Sequence, residues 1–302
     1  MKPLQLFVSL VIIISLVVFL SLHKTKIIPK QLLTIIPSLD IPKLYPYPVK
    51  NQNYQEPPQI TARSAVVIDA KTGVTLYEKD PNLHHPTAST TKLMTALVAL
   101  EKCSPDQKVT IGSFEKTPTV MGLTTGDVVT VQTLLYGLLM ASGNDAASVL
   151  AYSCAPSAQS FVNEMNQKAQ ELEMKNTHFA NAEGFDDPAQ FTTARDLAKL
   201  SRVAVGNPLI SKIVATKSTT VTDFFGIKTY YLENINKLLG EVEGVEGIKT
   251  GQTALSLEIL VTKTTRGGNT ILTVILGSQD RFKESKELIE WTYANHQWNN
   301  PT

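Results

Sequence analysis

Apolar and polar positions divide the chain into three regions. Residues 6–22, LFVSLVIIISLVVFLSL, run almost without a polar break. That is close to the roughly 20 residues a bilayer-spanning helix needs. Residues 24–60 carry prolines at 29, 37, 42, 46, 48, 57 and 58. Each proline removes a backbone donor and fixes φ, so this stretch predicts a semi-extended spacer. Folded patterning starts near Thr61. Ser64–Ala70 and Val74–Glu78 are short apolar runs around 71-KTG-73, which predicts a β-hairpin. Helical spacing follows over 89–102, 131–140, 145–154, 158–174 and 193–205. Thr193 with Asp196 three residues on suits the start of the last of these. Strand-like runs return over 212–222, 227–232, 257–264 and 270–277, and an amphipathic segment at 282–294 closes the pattern. Strands at both ends with helices between them predict one mixed α/β domain. In it the hairpin joins the late strands in a single sheet. The expected boundaries are 1–23 for a transmembrane anchor, 24–60 for the linker, 61–296 for the folded domain and 297–302 for a tail.

Composition and charge sharpen this picture in three places. The apolar run is followed by His23, Lys24 and Lys26 with no small-residue cleavage site, so it reads as an uncleaved anchor rather than a signal peptide. Lys24, Lys26 and Lys30 follow the span and only Lys2 precedes it. Charge bias alone would therefore keep the body in the cytoplasm. The 302 residues carry a formal charge of +1, which leaves no electrostatic footprint for nucleic acid. Cys103 and Cys154 fit no zinc or redox spacing and read as two buried thiols, with a disulfide as the lesser reading.

Three short segments could carry chemistry. In 86-PTASTTKLMTALVAL-100, Lys92 stands three residues after Ser89 at the head of an apolar helix. That spacing puts both side chains on one helix face. Burial would drive the ammonium toward neutral amine, a competent base for a hydroxyl nucleophile. The plain alternative is a lysine snorkelling to solvent. The same spacing recurs at 113-SFEK-116 with no apolar helix behind it, so the motif alone decides nothing. In 140-MASGNDAA-147, Ser142 offers a proton relay and Asn144 both a donor and an acceptor for a peptide amide. Ordinary punctuation, with Gly143 ending one helix and Asn144 or Asp145 capping the next, reads the same letters. In 247-GIKTGQT-253, Lys249, Thr250, Gly251 and Thr253 supply a cation, two hydroxyls and a close backbone approach, suited to a carboxylate. This copy could also be a turn, as 71-KTG-73 is at the hairpin tip. His84 and His85 read as surface loop residues.

The order S-x-x-K, S-x-N, K-T-G resembles the penicillin-binding proteins and class A β-lactamases. Residues 65–82, 88–100, 134–151 and 161–186 resemble more narrowly the low-molecular-weight D-alanyl-D-alanine carboxypeptidases, and the likeness covers roughly 62–293. The resemblance implies a β-lactamase/transpeptidase-like fold, a mainly antiparallel sheet flanked by helices. It implies Ser89 as nucleophile toward the bond between two terminal D-alanines of a peptidoglycan stem peptide. Lys92 would be the base and Ser142 the proton relay to the leaving amine. Asn144 would hold the substrate backbone. Lys249 would add positive potential, Thr250, Thr253 and Arg281 would hold the substrate carboxylate, and Gly251 completes the K-T-G. The backbone N–H groups of Ser89 and Gln252 would form the oxyanion hole. No metal or cofactor is required, and β-lactams would acylate the same serine.

That substrate places the domain outside the cytoplasmic membrane of a bacterium, on a single-pass anchor, against the charge bias. Two departures stand out. Leu257 and Glu258 occupy positions where a glycine and an aromatic are expected, and Glu173 replaces a usual glycine. Three alternatives remain open on the same residues: a D,D-endopeptidase, a β-lactamase, and an inert wall-binding module. The β-lactamase reading lacks a Glu-x-x-x-Asn segment between Ser142 and Lys249; the nearest glutamates, Glu164, Glu171 and Glu173, follow the carboxypeptidase pattern.

Overall fold

The two apolar runs around 71-KTG-73 pair as β2 (Ser64–Asp69) and β3 (Thr75–Lys79). Asp69 closes the turn between them by accepting from the Thr72 backbone N–H at 2.7 Å and its hydroxyl at 2.6 Å. In this computed structural model, which describes residues 46–113 and 118–299, the hairpin extends a sheet built from the end of the chain. That sheet contains β8 (Val245–Thr253), β9 (Leu257–Arg266) and β10 (Asn269–Ser278). Its order is β3-β2-β10-β9-β8, antiparallel throughout.

Every position of β2 is buried, so both sheet faces are covered. Side chains alternate between them, as the period of a strand requires. Val66, Ile68, Ile259, Val261, Leu272 and Val274 face the larger core. Ala65, Val67, Leu260, Ile271 and Ile275 face a smaller one with Leu288 and Ile289 of the closing helix α7 (Arg281–Asn295). The larger core is filled by helices from the middle of the chain. These are α1 (Lys92–Lys102), α2 (Val131–Leu139), α3 (Asn144–Ser153), α4 (Ala158–Glu171), α5 (Ala194–Gly206) and α6 (Pro208–Val214). A mixed α/β fold with an antiparallel sheet flanked by helices is the result. Thr193 caps α5 by accepting from the Asp196 N–H.

Several expectations change. The run at 212–222 is not one strand: its first residues finish α6, and the strand is β6 (Ser218–Thr222), paired with β7 (Thr229–Glu233). Asn207 and Pro208 explain this, because an asparagine cap followed by proline at the first turn starts a helix. The K-T-G letters at 249–251 lie inside β8 rather than in a turn. A small pair, β4 (Lys108–Thr110) with β5 (Val128–Thr130), adds to the pattern. Tyr47–Lys50, within the stretch read as spacer, forms β1 against β11 (His296–Asn299), within the stretch read partly as tail.

Cys103 and Cys154 are bridged, with Cα atoms 5.6 Å apart, which corrects the reading of two free thiols. They are the residues that end α1 and α3, so the bond ties together the two helices whose first turns carry S-x-x-K and S-x-N. The apolar run 6–22, the linker to residue 45 and the Phe114–Lys116 part of the second S-x-x-K match lie outside the described residues. Among the described residues, no helix is long and apolar enough to cross a membrane.

Candidate active site

Ser89 sits in a 3₁₀ turn, Ala88–Thr91, directly ahead of α1. Two hydroxyl contacts lock the turn: Thr90 Oγ1 donates to the Thr87 carbonyl at 2.5 Å and Thr91 Oγ1 to Thr87 Oγ1 at 2.7 Å. Ala88 adopts φ 44°, a left-handed conformation that costs about 1 kcal/mol or more and is held by its surroundings. Two glycines make that hold possible. A Cβ on Gly251 of β8 would lie 3.1 Å from Ala88 Cβ, and one on Gly184 would lie 2.0 Å from the Ala88 carbonyl oxygen. Strand and loop thus press on the nucleophile turn from close range.

Lys92 is fully buried while Ser89 is only part-buried, so the hydroxyl faces the cleft and the amine stays dry. Lys92 Nζ lies 3.0 Å from Ser89 Oγ, 2.7 Å from Asn144 Oδ1 and 2.5 Å from the Glu183 carbonyl oxygen. Two of these partners are carbonyl oxygens, which can only accept. An ammonium could fill all three contacts as a donor; a neutral amine would give its two N–H bonds to Asn144 Oδ1 and the Glu183 carbonyl and leave its lone pair for the Ser89 hydroxyl. Burial lowers the Lys92 pKa from 10.5 to about 7, against the opposing pull of the Glu183 and Asp145 carboxylates.

The turn before α3 supplies the next groups. Ser142 is buried at φ 59° and lines the cleft. Asn144 Nδ2 donates to the Pro118 carbonyl at 2.5 Å, which points Oδ1 at Lys92. Asp145 accepts the backbone N–H groups of Met121, Gly122 and Leu123 at 2.9–3.1 Å. These letters are therefore not mere punctuation; they pin residues 118–123 beside the site, where Thr119 joins the cleft wall.

From β8, Lys249 is fully buried, and burial, then the neighbouring Lys92 and Arg281, hold its pKa well below the usual lysine value. Its expected role as a standing positive charge is thus opposed by its surroundings. A cleft of about 270 Å³ is lined by Ser89, Ser142, Thr250, Gly251, Gln252 and Arg281, with Thr119 and Ile235. Arg281 Nη1 donates to the Gly251 carbonyl at 3.0 Å and to Gln252 Oε1 at 3.3 Å. Glu258 turns toward Arg281 by accepting its backbone N–H at 2.9 Å. Thr253 stands apart: its hydroxyl meets Asp186 Oδ1 at 2.7 Å and Ser256 Oγ at 3.0 Å, and it does not line the cleft.

His85 is buried, with Nδ1 3.0 Å from the Pro86 carbonyl, which corrects its reading as a surface residue; His84 is exposed and stacks on Phe191. Glu183 was missed by sequence reasoning, which counted glutamates only on the preceding helix. Its contact to Lys92 runs through the main chain, so side-chain type gave little signal.

The sequence matches the family model described as D-alanyl-D-alanine carboxypeptidase over residues 51–280. It is 37% identical over 258 residues to the D-alanyl-D-alanine carboxypeptidase of Streptomyces sp. strain K15, covering 78% of this chain and 89% of that protein. It is 34% identical to D-alanyl-D-alanine carboxypeptidase DacD of Escherichia coli, covering 80% of this chain but 65% of that protein. The crystal structure of the Streptomyces K15 DD-transpeptidase superposes with a TM-score of 0.74 at 33% identity, covering 80% of this chain and all of that one (100%). The D-alanyl-D-alanine carboxypeptidase structure from Mycobacterium tuberculosis superposes at 0.76 and 30% identity, covering 84% and 97%. With the serine, the dry lysine and the K-T-G strand converging on one cleft, the chain belongs to the D-alanyl-D-alanine carboxypeptidase family, peptidase S11.

Proposed function

We propose that this protein is a serine-type D-Ala-D-Ala carboxypeptidase that trims peptidoglycan stem peptides. The observation that carries the reading is a fully buried Lys92 amine 3.0 Å from Ser89 Oγ. Ser89 Oγ attacks the carbonyl carbon between the two D-alanines as its proton passes to Lys92 Nζ. The resulting oxyanion lies toward the backbone N–H groups of Ser89 and Gln252. Collapse breaks the C–N bond. The leaving amine takes a proton that returns from Lys92 through the Ser142 hydroxyl, and an ester remains on Ser89. Water then attacks that ester, again giving a proton to Lys92; the C–O bond to Ser89 breaks as Lys92 returns that proton to Ser89 Oγ, and the shortened peptide leaves as an acid that ionises to the carboxylate. Thr250 and Arg281 hold the terminal carboxylate of the substrate, and Asn144 holds its backbone amide. A β-lactam enters the same first half-reaction and stays on Ser89.

The reading extends to location. We place the body outside the cytoplasmic membrane, tethered by residues 1–23 as a single-pass anchor. The Cys103–Cys154 bond supports this, because structural disulfides persist in oxidising compartments. A periplasm-active reporter fused after Thr61 is expected to be active, and an inactive fusion beside a working cytosolic one would overturn the placement.

The chemistry is tested by incubating a pentapeptide-bearing muropeptide and reading products by mass spectrometry. Loss of one D-alanine is the expected result. Cleavage of cross-links, or transfer to an amine acceptor, would replace the carboxypeptidase reading by an endopeptidase or transpeptidase. Fluorescent penicillin is expected to label the wild type and not Ser89→Ala; an unlabelled, folded wild type would mean an inert module.

A further inference from the structure

Glu183 lies in the loop between α4 and α5, and its two ends reach different partners. Its carbonyl oxygen accepts from Lys92 Nζ at 2.5 Å. Its carboxylate accepts from Ser148 Oγ at 2.5 Å. Ser148 stands four residues after Asn144 on α3, so both lie on one helix face. One residue contacts the Lys92 amine and the other anchors the side chain beside it. The next residue, Gly184, packs against the Ala88 carbonyl, so the same loop also bears on the nucleophile turn. Asn181 Oδ1 fixes the bend by accepting the Gly184 N–H at 2.8 Å and the Phe185 N–H at 3.0 Å.

We propose that Glu183 is a positioning residue for the base: Ser148 latches its carboxylate so that the carbonyl aims the Lys92 amine and the charge stabilises the ammonium formed during attack. The inference rests on the reading of Lys92 as the proton acceptor of Ser89. The charged groups facing that amine are few. Asp145 from α3 acts with Glu183; Lys249 from β8 is itself held well below the usual lysine value by burial and its cationic neighbours, and Ser89 and Asn144 are neutral. Asp145 is committed to three backbone N–H groups of residues 121–123, whereas the Glu183 carboxylate has a single hydroxyl partner among the described residues. Glu183 is therefore the adjustable member. A base serves best when its proton affinity lies near the working pH. Burial lowers the proton affinity of Lys92, and a carboxylate held nearby opposes that loss.

The test is the pH dependence of acylation by a fluorescent penicillin. Glu183→Gln keeps the size and an acceptor for Ser148 while removing the charge. Its acid limb is expected to move to lower pH by about half to one unit, with a several-fold lower plateau. Ser148→Ala frees the carboxylate and moves the limb the same way by less. Glu183→Asp, which keeps the charge, moves it least. A merely structural role would lower the plateau and leave the limb in place. An unmoved limb, or one displaced upward, in folded Glu183→Gln overturns the inference. Should that variant not fold, Ser148→Ala decides by the same limb. A wild type that is never acylated overturns the functional reading itself, which separates the two failures.

Discussion

Replacing Lys92 by methionine tests the buried amine without an activity assay. In the folded protein its pKa is lowered from 10.5 to about 7, so between those values the unfolded chain holds a proton that the native state does not. Stability must then rise with pH across that window, by up to about 1.4 kcal/mol per unit from this group. The full difference, about 3.5 units, amounts to about 5 kcal/mol, present as a penalty below pH 7 and gone above about 10.5. Lys249, displaced in the same direction, adds a rise of its own that the variant keeps. Lys92→Met removes the penalty but strips a donor from Asn144 Oδ1 and the Glu183 carbonyl, at about 1–3 kcal/mol each. Those terms nearly cancel at neutral pH, so one measurement there would decide nothing. The slope decides. Urea midpoints from pH 6.5 to 9.5, with the disulfide intact, are expected to climb steeply in the wild type and clearly less in the variant. Equal slopes would show that Lys92 titrates normally, and the base assignment would fall with it. Acylation by penicillin is expected to drop by about 10²–10⁴ in the same variant.

Gly184→Ala would place a Cβ 2.0 Å from the Ala88 carbonyl oxygen and displace the nucleophile turn, so penicillin labelling should be largely lost while the helical circular dichroism signal persists. Reduction of Cys103–Cys154, which are 51 residues apart in sequence, should lower the urea-derived stability by about 4 kcal/mol. Arg281→Ala removes a guanidinium from the cleft wall and should cut kcat/KM for a peptide with a free C-terminal carboxylate about 10- to 100-fold, the worth of a charged hydrogen bond. A C-terminal amide should lose much less, and equal losses would remove Arg281 from carboxylate binding.

The hairpin and the long helices were legible for different reasons: β2 is a short apolar run around a turn and is buried at every position, α1 is a longer apolar run buried over Lys92–Ala99, and α5 alternates buried and exposed positions as an amphipathic helix does. Strand β8 was not. Its buried positions include Lys249 and Thr250, and the 3₁₀ turn packs on the same strand at Gly251, a contact between residues about 160 positions apart that no local pattern announces. The cysteine pair was illegible for a similar reason, since sequence spacing says nothing of a 5.6 Å approach between two helix ends. The two substitutions of expected glycines have a backbone reason. Glu173 and Leu257 adopt φ 54° each, a conformation glycine enters freely and other residues at a cost of about 1–2 kcal/mol. Glu258, where an aromatic was expected, puts a negative charge near Arg281 of the cleft wall. Its carboxylate accepts the first N–H of α7, a favourable place for a negative charge.

The site also shows why a lysine can do here what a histidine does elsewhere. A flexible ammonium has no built-in orientation, so its direction must be imposed from outside. Asn144 imposes half of it, and only because its Nδ2 is committed to the Pro118 carbonyl at 2.5 Å; rotated, the amide would offer Lys92 a donor and repel the neutral amine's hydrogens. Pro118 in turn belongs to the segment whose next residues hang on Asp145. The Glu183 carbonyl imposes the other half from a different loop. The Lys92 amine is thus held toward Ser89 by two acceptors, one at the start of α3 and one in the loop between α4 and α5. A change in either loop should therefore be felt first as a misdirected proton and only later as a loss of fold.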